Sequence, residues 1–282
     1  MREKELYHRA IRWLLPVLAG MVLAAGCSGN TYQRKFDGIR EIRPGILEGY
    51  LKPETLPNSA ALLPPPPADG SAAHELDLTI SRRTRAFQGT IRWELATVDA
   101  ILMFPRAAES FSCALGIPIT KTHTPHLYML LRRTLSDAGF SSYNAKKRYQ
   151  RKRPFIVNYE PICTPDEESF LLQDGSYPSG HTAIGWTWAL ILSEIAPERT
   201  DAILARGRTY GESRIICNVH WYSDVVEGRF IGAATVARLH ADPGFQADLK
   251  AAKAEVASVR ARGQIPRRDC KAEAEALAQD PF

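Results

Sequence analysis

Pro178-Ser-Gly-His181, followed by Thr182-Ala-Ile-Gly-Trp-Thr-Trp-Ala-Leu-Ile-Leu-Ser-Glu-Ile195, is the stretch whose reading decides the fold. Apolar residues at 184, 188, 191, 192 and 195 recur with helical spacing, so the segment reads as a helix anchored in a core. Proline followed by a small hydroxyl residue is a helix-entry signal, and the first amides of a helix have no carbonyl one turn back. The Ser179 and Gly180 amides are therefore expected to form an anion seat. Glycine lets a ligand approach the backbone, the helix dipole favours negative charge, and His181 can give or take a proton.

Two further blocks carry compatible chemistry. Upstream stands Lys146, with Arg153-Pro154 seven residues on. Seven positions is close to two helical turns, which puts both cations on one face, and Pro154 ends the helix and biases Arg153 toward extended backbone. Lysine then acts as a mobile point charge, and the guanidinium as a fork for two phosphoryl oxygens. The other cations of this run, Lys147, Arg148, Arg151 and Lys152, read as a solvated face. Downstream stand Ser213-Arg214, then His220 and Asp224, four apart and hence neighbours on one helix face. An aspartate on one ring nitrogen of His220 leaves the other unprotonated and aimed outward as a nucleophile. Arg214 does not share that face in a continuous helix, so a turn is expected, with a helix starting near Asn218.

The three blocks together resemble the signature of the type 2 phosphatidic acid phosphatase (PAP2) superfamily, which includes the vanadium haloperoxidases. Over Leu62-Leu-Pro-Pro-Pro-Pro67, Gly89-Thr-Ile-Arg-Trp93, Asp99-Ala100 and Ile216-Cys-Asn-Val-His-Trp-Tyr-Ser-Asp224 the chain is similar to class A bacterial non-specific acid phosphatases. The resemblance implies an all-α bundle and a metal-independent acid phosphatase acting broadly on phosphate monoesters. Its roles match those read from the residues. Lys146, Arg153, Ser179, Gly180 and Arg214 bind phosphate, His220 attacks to give a phosphohistidine, His181 is general acid and base, and Asp224 orients His220. In this chain Asn218 and Val219 stand where those enzymes commonly carry a glycine and a bulkier aromatic. A vanadate-dependent haloperoxidase, a PAP2-type lipid phosphatase and a non-enzymatic phosphate-binding envelope lipoprotein are the alternatives.

The rest of the chain is consistent with that frame. From about Leu76 the periodicity is helical almost throughout, with runs near 83–103, 126–138, 142–152, 180–195, 198–211, 218–239 and 244–262 and no series of alternating strands. The expected organisation is a signal peptide over 1–26, a tether and Pro-rich arm over 27–75, a single helical domain over 76–265 and a C-terminal tail over 266–282. Residues 1 to 26 carry four of the 36 Lys/Arg and two of the 31 Asp/Glu, so the net charge of +5 falls to +3 without them. That modest excess suits small phosphorylated substrates and inorganic phosphate, and no basic stripe with interleaved aromatics calls for nucleic acid.

Leu23-Ala-Ala-Gly-Cys27 is close to a lipoprotein cleavage box, so the chain meets a membrane through a lipid anchor at Cys27 or, with plain cleavage, not at all. Either way the expected location is periplasmic or secreted. The other four cysteines, Cys113, Cys163, Cys217 and Cys270, allow two disulfides in three connectivities. No cofactor or metal is called for: His123-Thr-Pro-His126 reads as a loop feature, and Trp93, Trp186, Trp188 and Trp221 as core, with Trp221 the best candidate for a substrate platform. A homo-oligomer stays open.

Overall fold

The computed structural model describes residues 38–279; the expected signal peptide and the Cys27 anchor lie outside the described residues. From Glu41 onward the chain forms one compact unit. It opens with a hairpin, β1 (Glu41–Arg43) and β2 (Ile46–Leu47), paired antiparallel around Pro44-Gly45. Gly45 takes a positive φ of 78°, which an ordinary side chain resists, and proline followed by such a glycine is a strong turn signal. Among the described residues everything regular beyond the hairpin is helical, as the periodicity requires.

The longer helices are α1 (Ala72–Thr84), α2 (Ile91–Asp99), α3 (Pro125–Ser141), α4 (Tyr143–Tyr149), α5 (Gly180–Ile195), α6 (Thr200–Ile216), α7 (Tyr222–Leu239), α8 (Pro243–Ala261) and α9 (Cys270–Leu277). The run expected over 83–103 is two helices, because Gly89 adopts a φ of 76° and the Thr90 hydroxyl accepts the Trp93 amide to start α2 afresh. The run near 198–211 extends to Ile216, which carries Arg214 onto the last turn of α6. Within the stretch read as a tail, α9 is fixed to the short turn Ser112–Leu115 by the Cys113–Cys270 disulfide. The second disulfide, Cys163–Cys217, sits in an apolar cluster with Phe155, Ile162, Leu171 and Val219 beside the turn that follows α6.

Helix α5 is the centre of the bundle and packs most extensively on α6 and α7, and also on α3. Ala183, Trp188, Ala189 and Leu192 are fully buried, and the Trp188 indole N–H donates to the Leu131 carbonyl of α3 at 3.1 Å. The approach of α7 is backbone to backbone. A Cβ on Gly228 would lie 2.6 Å from the Ser179 carbonyl oxygen, and one on Gly232 would lie 2.7 Å from that of Ala183. This closeness lets the Ser179 amide donate to the Asp224 carbonyl at 2.9 Å, which docks the first turn of α5 on the first turn of α7.

The arm before α1 is fastened to the bundle. Asp137 of α3 accepts the Tyr50 and Leu51 amides at 3.0 and 2.9 Å, and the Arg133 guanidinium lies 3.6 Å above the Tyr50 ring. Farther along, the Tyr177 hydroxyl donates to the Pro64 carbonyl at 2.8 Å and secures the proline run. Among the described residues no helix is long and apolar enough to cross a membrane.

The glycine contacts set a stability test. Gly232→Ala forces a methyl onto main chain that cannot rotate away, and the expected cost is about 1–3 kcal/mol, the range for overpacking. Denaturant unfolding that shows no loss of stability would mean that α5 and α7 are not this close.

Candidate functional site

The residues singled out from sequence converge on one cavity of about 190 Å³, whose walls include Lys146, Arg153, Gly180, His181, Arg214 and His220. They arrive from several elements, Gly180 and His181 together from the head of α5. Lys146 projects from α4 and is 4% exposed. The helix does not continue to Arg153: Gln150 adopts a left-handed φ of 45°, α4 ends at Tyr149, and Arg153 is extended before Pro154. The two-turn face expected for Lys146 and Arg153 is therefore absent. They meet instead on Asp174, whose Oδ2 accepts from Lys146 Nζ at 3.0 Å and Arg153 Nη2 at 2.9 Å.

Arg153 is held on every side. Its Nε donates to the Leu171 and Asp174 carbonyls, both at 3.0 Å, and its Nη1 to the Val219 carbonyl at 2.9 Å. The same Nη1 lies 3.1 Å from His220 Nε2. A guanidinium can only donate, so Nε2 must be the unprotonated nitrogen of the neutral ring. The proton then sits on Nδ1, 3.3 Å from Asp224 Oδ2. Geometry thus assigns the tautomer that a nucleophilic histidine requires.

His220 is not on a helix with Asp224. It lies in the turn between α6 and α7, where the Val219 and His220 amides both donate to the Arg214 carbonyl at 3.2 Å, while Asp224 is in the first turn of α7. The turn depends on Asn218, at a φ of 63°, one of the few non-glycine residue types that accept this conformation. Its side chain bonds Asn158 and the Glu160 carbonyl, so the asparagine takes the conformation a glycine would.

The seat at the head of α5 differs from expectation in one respect. Gly180 lines the cavity, but Ser179 is fully buried. Its amide is taken by Asp224, and its hydroxyl oxygen accepts from the Thr182 amide and hydroxyl at 3.3 and 2.9 Å, capping the helix. With its oxygen accepting twice, the Ser179 hydroxyl keeps its own proton to donate. His181 follows on the cavity wall, and its Nε2 lies 3.0 Å from the Ala100 carbonyl. A carbonyl only accepts, so Nε2 carries the proton and Nδ1 is the nitrogen left for chemistry.

Arg214 is fully buried at the end of α6, and its Nε and Nη2 have no hydrogen-bond partner among the described residues. Buried unpaired donors on a charged group are costly, and these belong to a residue lining the cavity, so they fit an anion. The crowding of positive charge appears in the titrations. Burial, then the Arg153 charge, lowers Lys146 to about 8, and burial lowers Arg214 to about 10. Burial and Arg214 bring His181 well below its usual range, and burial, Arg153, Lys146 and Arg214 do the same to His220.

Two residues that matter here were not singled out from sequence. Asp174 joins the two cations. Arg151, read as part of a solvated face, instead donates from Nη1 to Asp224 Oδ1 at 2.6 Å and from Nη2 to Asp77 Oδ2 at 2.8 Å. The available signal was Pro154: backbone extended up to the proline sends alternate residues to one side, so Arg151 turns inward with Arg153 while Lys152 stays exposed. Trp221 is not on the catalytic cavity; its indole donates to the Lys152 carbonyl at 2.8 Å, and Arg151 lies 5.4 Å from its ring. Lys147 and Arg148 are solvated as expected. Among the described residues no group of three or more His, Cys, Asp or Glu is placed to hold a metal ion.

A helical bundle that turns two tautomer-fixed histidines and a set of buried cations toward one cavity has the charge and the proton carriers that phosphoryl transfer needs. The profile of the PAP2 superfamily matches residues 126–246. A non-specific acid phosphatase of Providencia stuartii is 44% identical over 212 residues, 75% of this chain and 86% of that protein. An acid phosphatase of Zymomonas mobilis is 40% identical over 72% of this chain and 77% of its own length. A non-specific acid phosphatase of Salmonella typhimurium is 39% identical over 79% and 87%. The chain belongs to the PAP2 superfamily and, within it, to the non-specific acid phosphatases.

The lowered Lys146 sets a binding test. Its charge is present below about pH 8 and lost above, so the affinity for inorganic phosphate should fall as pH rises through that value. Calorimetric titration with phosphate across pH 6–10 checks this; Lys146→Met should bind more weakly and lose that step, and an unchanged step in the variant would place the titration elsewhere.

Proposed function

We propose that this acid phosphatase hydrolyses phosphate monoesters of broad structure through a phosphohistidine on His220, without a metal ion. The observation that carries the reading is the pair of constraints on the His220 ring, with Arg153 facing Nε2 and Asp224 facing Nδ1. Together they leave the lone pair of Nε2 as the nucleophile.

In the first step Nε2 attacks phosphorus, the bond from phosphorus to the ester oxygen breaks, and that oxygen takes a proton from His181 Nδ1. His220 keeps its Nδ1 proton against Asp224, whose carboxylate steadies the ring as charge develops. Lys146, Arg214, the Gly180 amide and the Ser179 hydroxyl hold the phosphoryl oxygens, and Arg153 Nη1, released from Nε2, joins them. In the second step His181 Nδ1 takes a proton from water, the water oxygen attacks phosphorus, and the N–P bond breaks to release phosphate. Buried fixed cations supply the charge neutralisation that metal ions provide elsewhere. We place the enzyme in the periplasm, a location supported by its two disulfides, which persist in an oxidising compartment. A lipid anchor at Cys27 belongs to the same proposal.

The pH dependence follows from both ring shifts. His181 must be protonated to donate; its proton is present below its pKa and lost above, and burial with the Arg214 charge lowers that pKa well below 6.5. A bound phosphate dianion raises it, which favours the acid form in the complex. His220 must be neutral to attack, and its own lowered pKa keeps it so into acid. The optimum should therefore fall below about pH 6.5, and a kcat profile that rises through neutrality would overturn these assignments.

Rapid acid-stable trapping is less suited to a phosphohistidine than alkaline quenching, which leaves the N–P bond intact. Quenched in alkali after mixing with a labelled aryl phosphate, the wild type should carry label on His220, and EDTA should leave turnover unchanged. His220→Ala should carry none and lose at least about 10³-fold in kcat. His181→Ala should lose about 10²–10⁴-fold on alkyl phosphates and far less in the first step on 4-nitrophenyl phosphate, whose leaving group needs no proton.

A further inference from the structure

The catalytic cavity does not end at the histidines. A second cavity, of about 150 Å³, adjoins it and shares Leu102, Gly139, Tyr143 and Ile184 with it. The catalytic part is lined by cations, but the extension has an apolar wall of Leu135, Phe140 and Ile184, closed on one side by the Tyr143 ring. Together the two volumes reach the lower end of small-molecule sites, about 300 Å³. A phosphoryl group held among Lys146, Gly180 and Arg214 has its ester oxygen next to His181, and Ile184, three residues along α5, faces both cavities. The leaving group of the ester thus has this extension beside it.

Arg43 of β1 adds a charge to the apolar wall. Its guanidinium lies 5.9 Å from the Phe140 ring centre and hydrogen-bonds the Tyr143 side chain, and it lines the extension but not the catalytic part. A guanidinium has five donors in a fork, so one phenol leaves it able to take an anion as well. The hairpin that carries it is fixed to α3: the Leu47 carbonyl accepts the Ser136 hydroxyl, and the Gly45 carbonyl accepts Arg132 at 3.2 Å. The backbone that carries Arg43 is therefore anchored, and the Tyr143 side chain engages its exposed guanidinium.

We propose that this extension is a leaving-group subsite that selects phosphate esters of a flat aromatic alcohol bearing an anionic substituent, with the ring against Phe140 and Tyr143 and the anion on Arg43. This rests on the phosphatase reading of the adjoining site. Catalysis needs none of these three side chains, so the subsite changes the ranking of substrates and leaves the chemistry untouched.

The test compares three esters: phenyl phosphate, 4-carboxyphenyl phosphate and glycerol 2-phosphate. In the wild type kcat/KM for the carboxyphenyl ester should exceed that for the phenyl ester. Arg43→Gln should lower that ratio by about threefold to fivefold, the upper range for an exposed ion pair, and leave phenyl phosphate unchanged. Phe140→Ala should raise KM for both aryl esters and leave glycerol 2-phosphate alone, with melting monitored to confirm an intact fold. A ratio unmoved by Arg43→Gln while all three esters are hydrolysed overturns the subsite alone; loss of hydrolysis of every ester by the wild type would instead overturn the reading of the catalytic centre.

Discussion

Asp224 is the residue on which the two halves of the site close. Its carbonyl accepts the Ser179 amide, which docks the head of α5, and its carboxylate accepts the Trp221 amide at 2.9 Å and the Nδ1 proton of His220. The remaining oxygen is occupied by Arg151, itself shared with Asp77 of α1. One side chain therefore caps α7, fixes a ring and ties in α1, and its main chain fixes the head of α5. Such a carboxylate is buried at 0% exposure, a position sustained only where charge and hydrogen bonds are supplied in full.

The opposite arrangement holds across the cavity. There the positive charges outnumber their partners: Asp174 answers Lys146 and Arg153, and nothing among the described residues answers Nε and Nη2 of Arg214. Each is buried, and the depressed titration of Lys146 and Arg214 reflects first the cost of that burial and, for Lys146, then the neighbouring Arg153 charge. An anion accepting from the unpaired Arg214 donors would offset that cost, as the proposed phosphate seat requires.

How much of this the sequence disclosed follows from how local each feature is. The helical periodicity of 180–195, the proline after Arg153 and the His220 to Asp224 spacing are local, and each led to the right neighbourhood. The continuous helices assumed under Lys146 and His220 did not form, because Gln150 and Asn218 adopt left-handed backbone that spacing alone does not signal. Asp174 and Arg151 were passed over because their partners are distant in sequence, 28 residues to Lys146 and 74 to Asp77. Ser179 was placed in the right turn but credited with a free amide, which only the packing of α7 could show to be taken. The pairing of Cys113 with Cys270 and of Cys163 with Cys217 was likewise open until the chain was folded.

The partner of His181 has a consequence of its own. The atom that sets this ring is a main-chain oxygen, Ala100 O, at the end of α2, so no exchange of side chain removes it. Position 100 is 2% exposed, which limits the residue there to a small apolar one. The neighbouring Asp99 is bound by Arg206 and by the Ser213 hydroxyl at 2.7 Å, and these anchor the end of the helix that presents the oxygen. The orientation of the His181 ring thus depends on residues outside the cavity lining, and a substitution at 99, 206 or 213 would disturb it while every residue lining the cavity stayed the same.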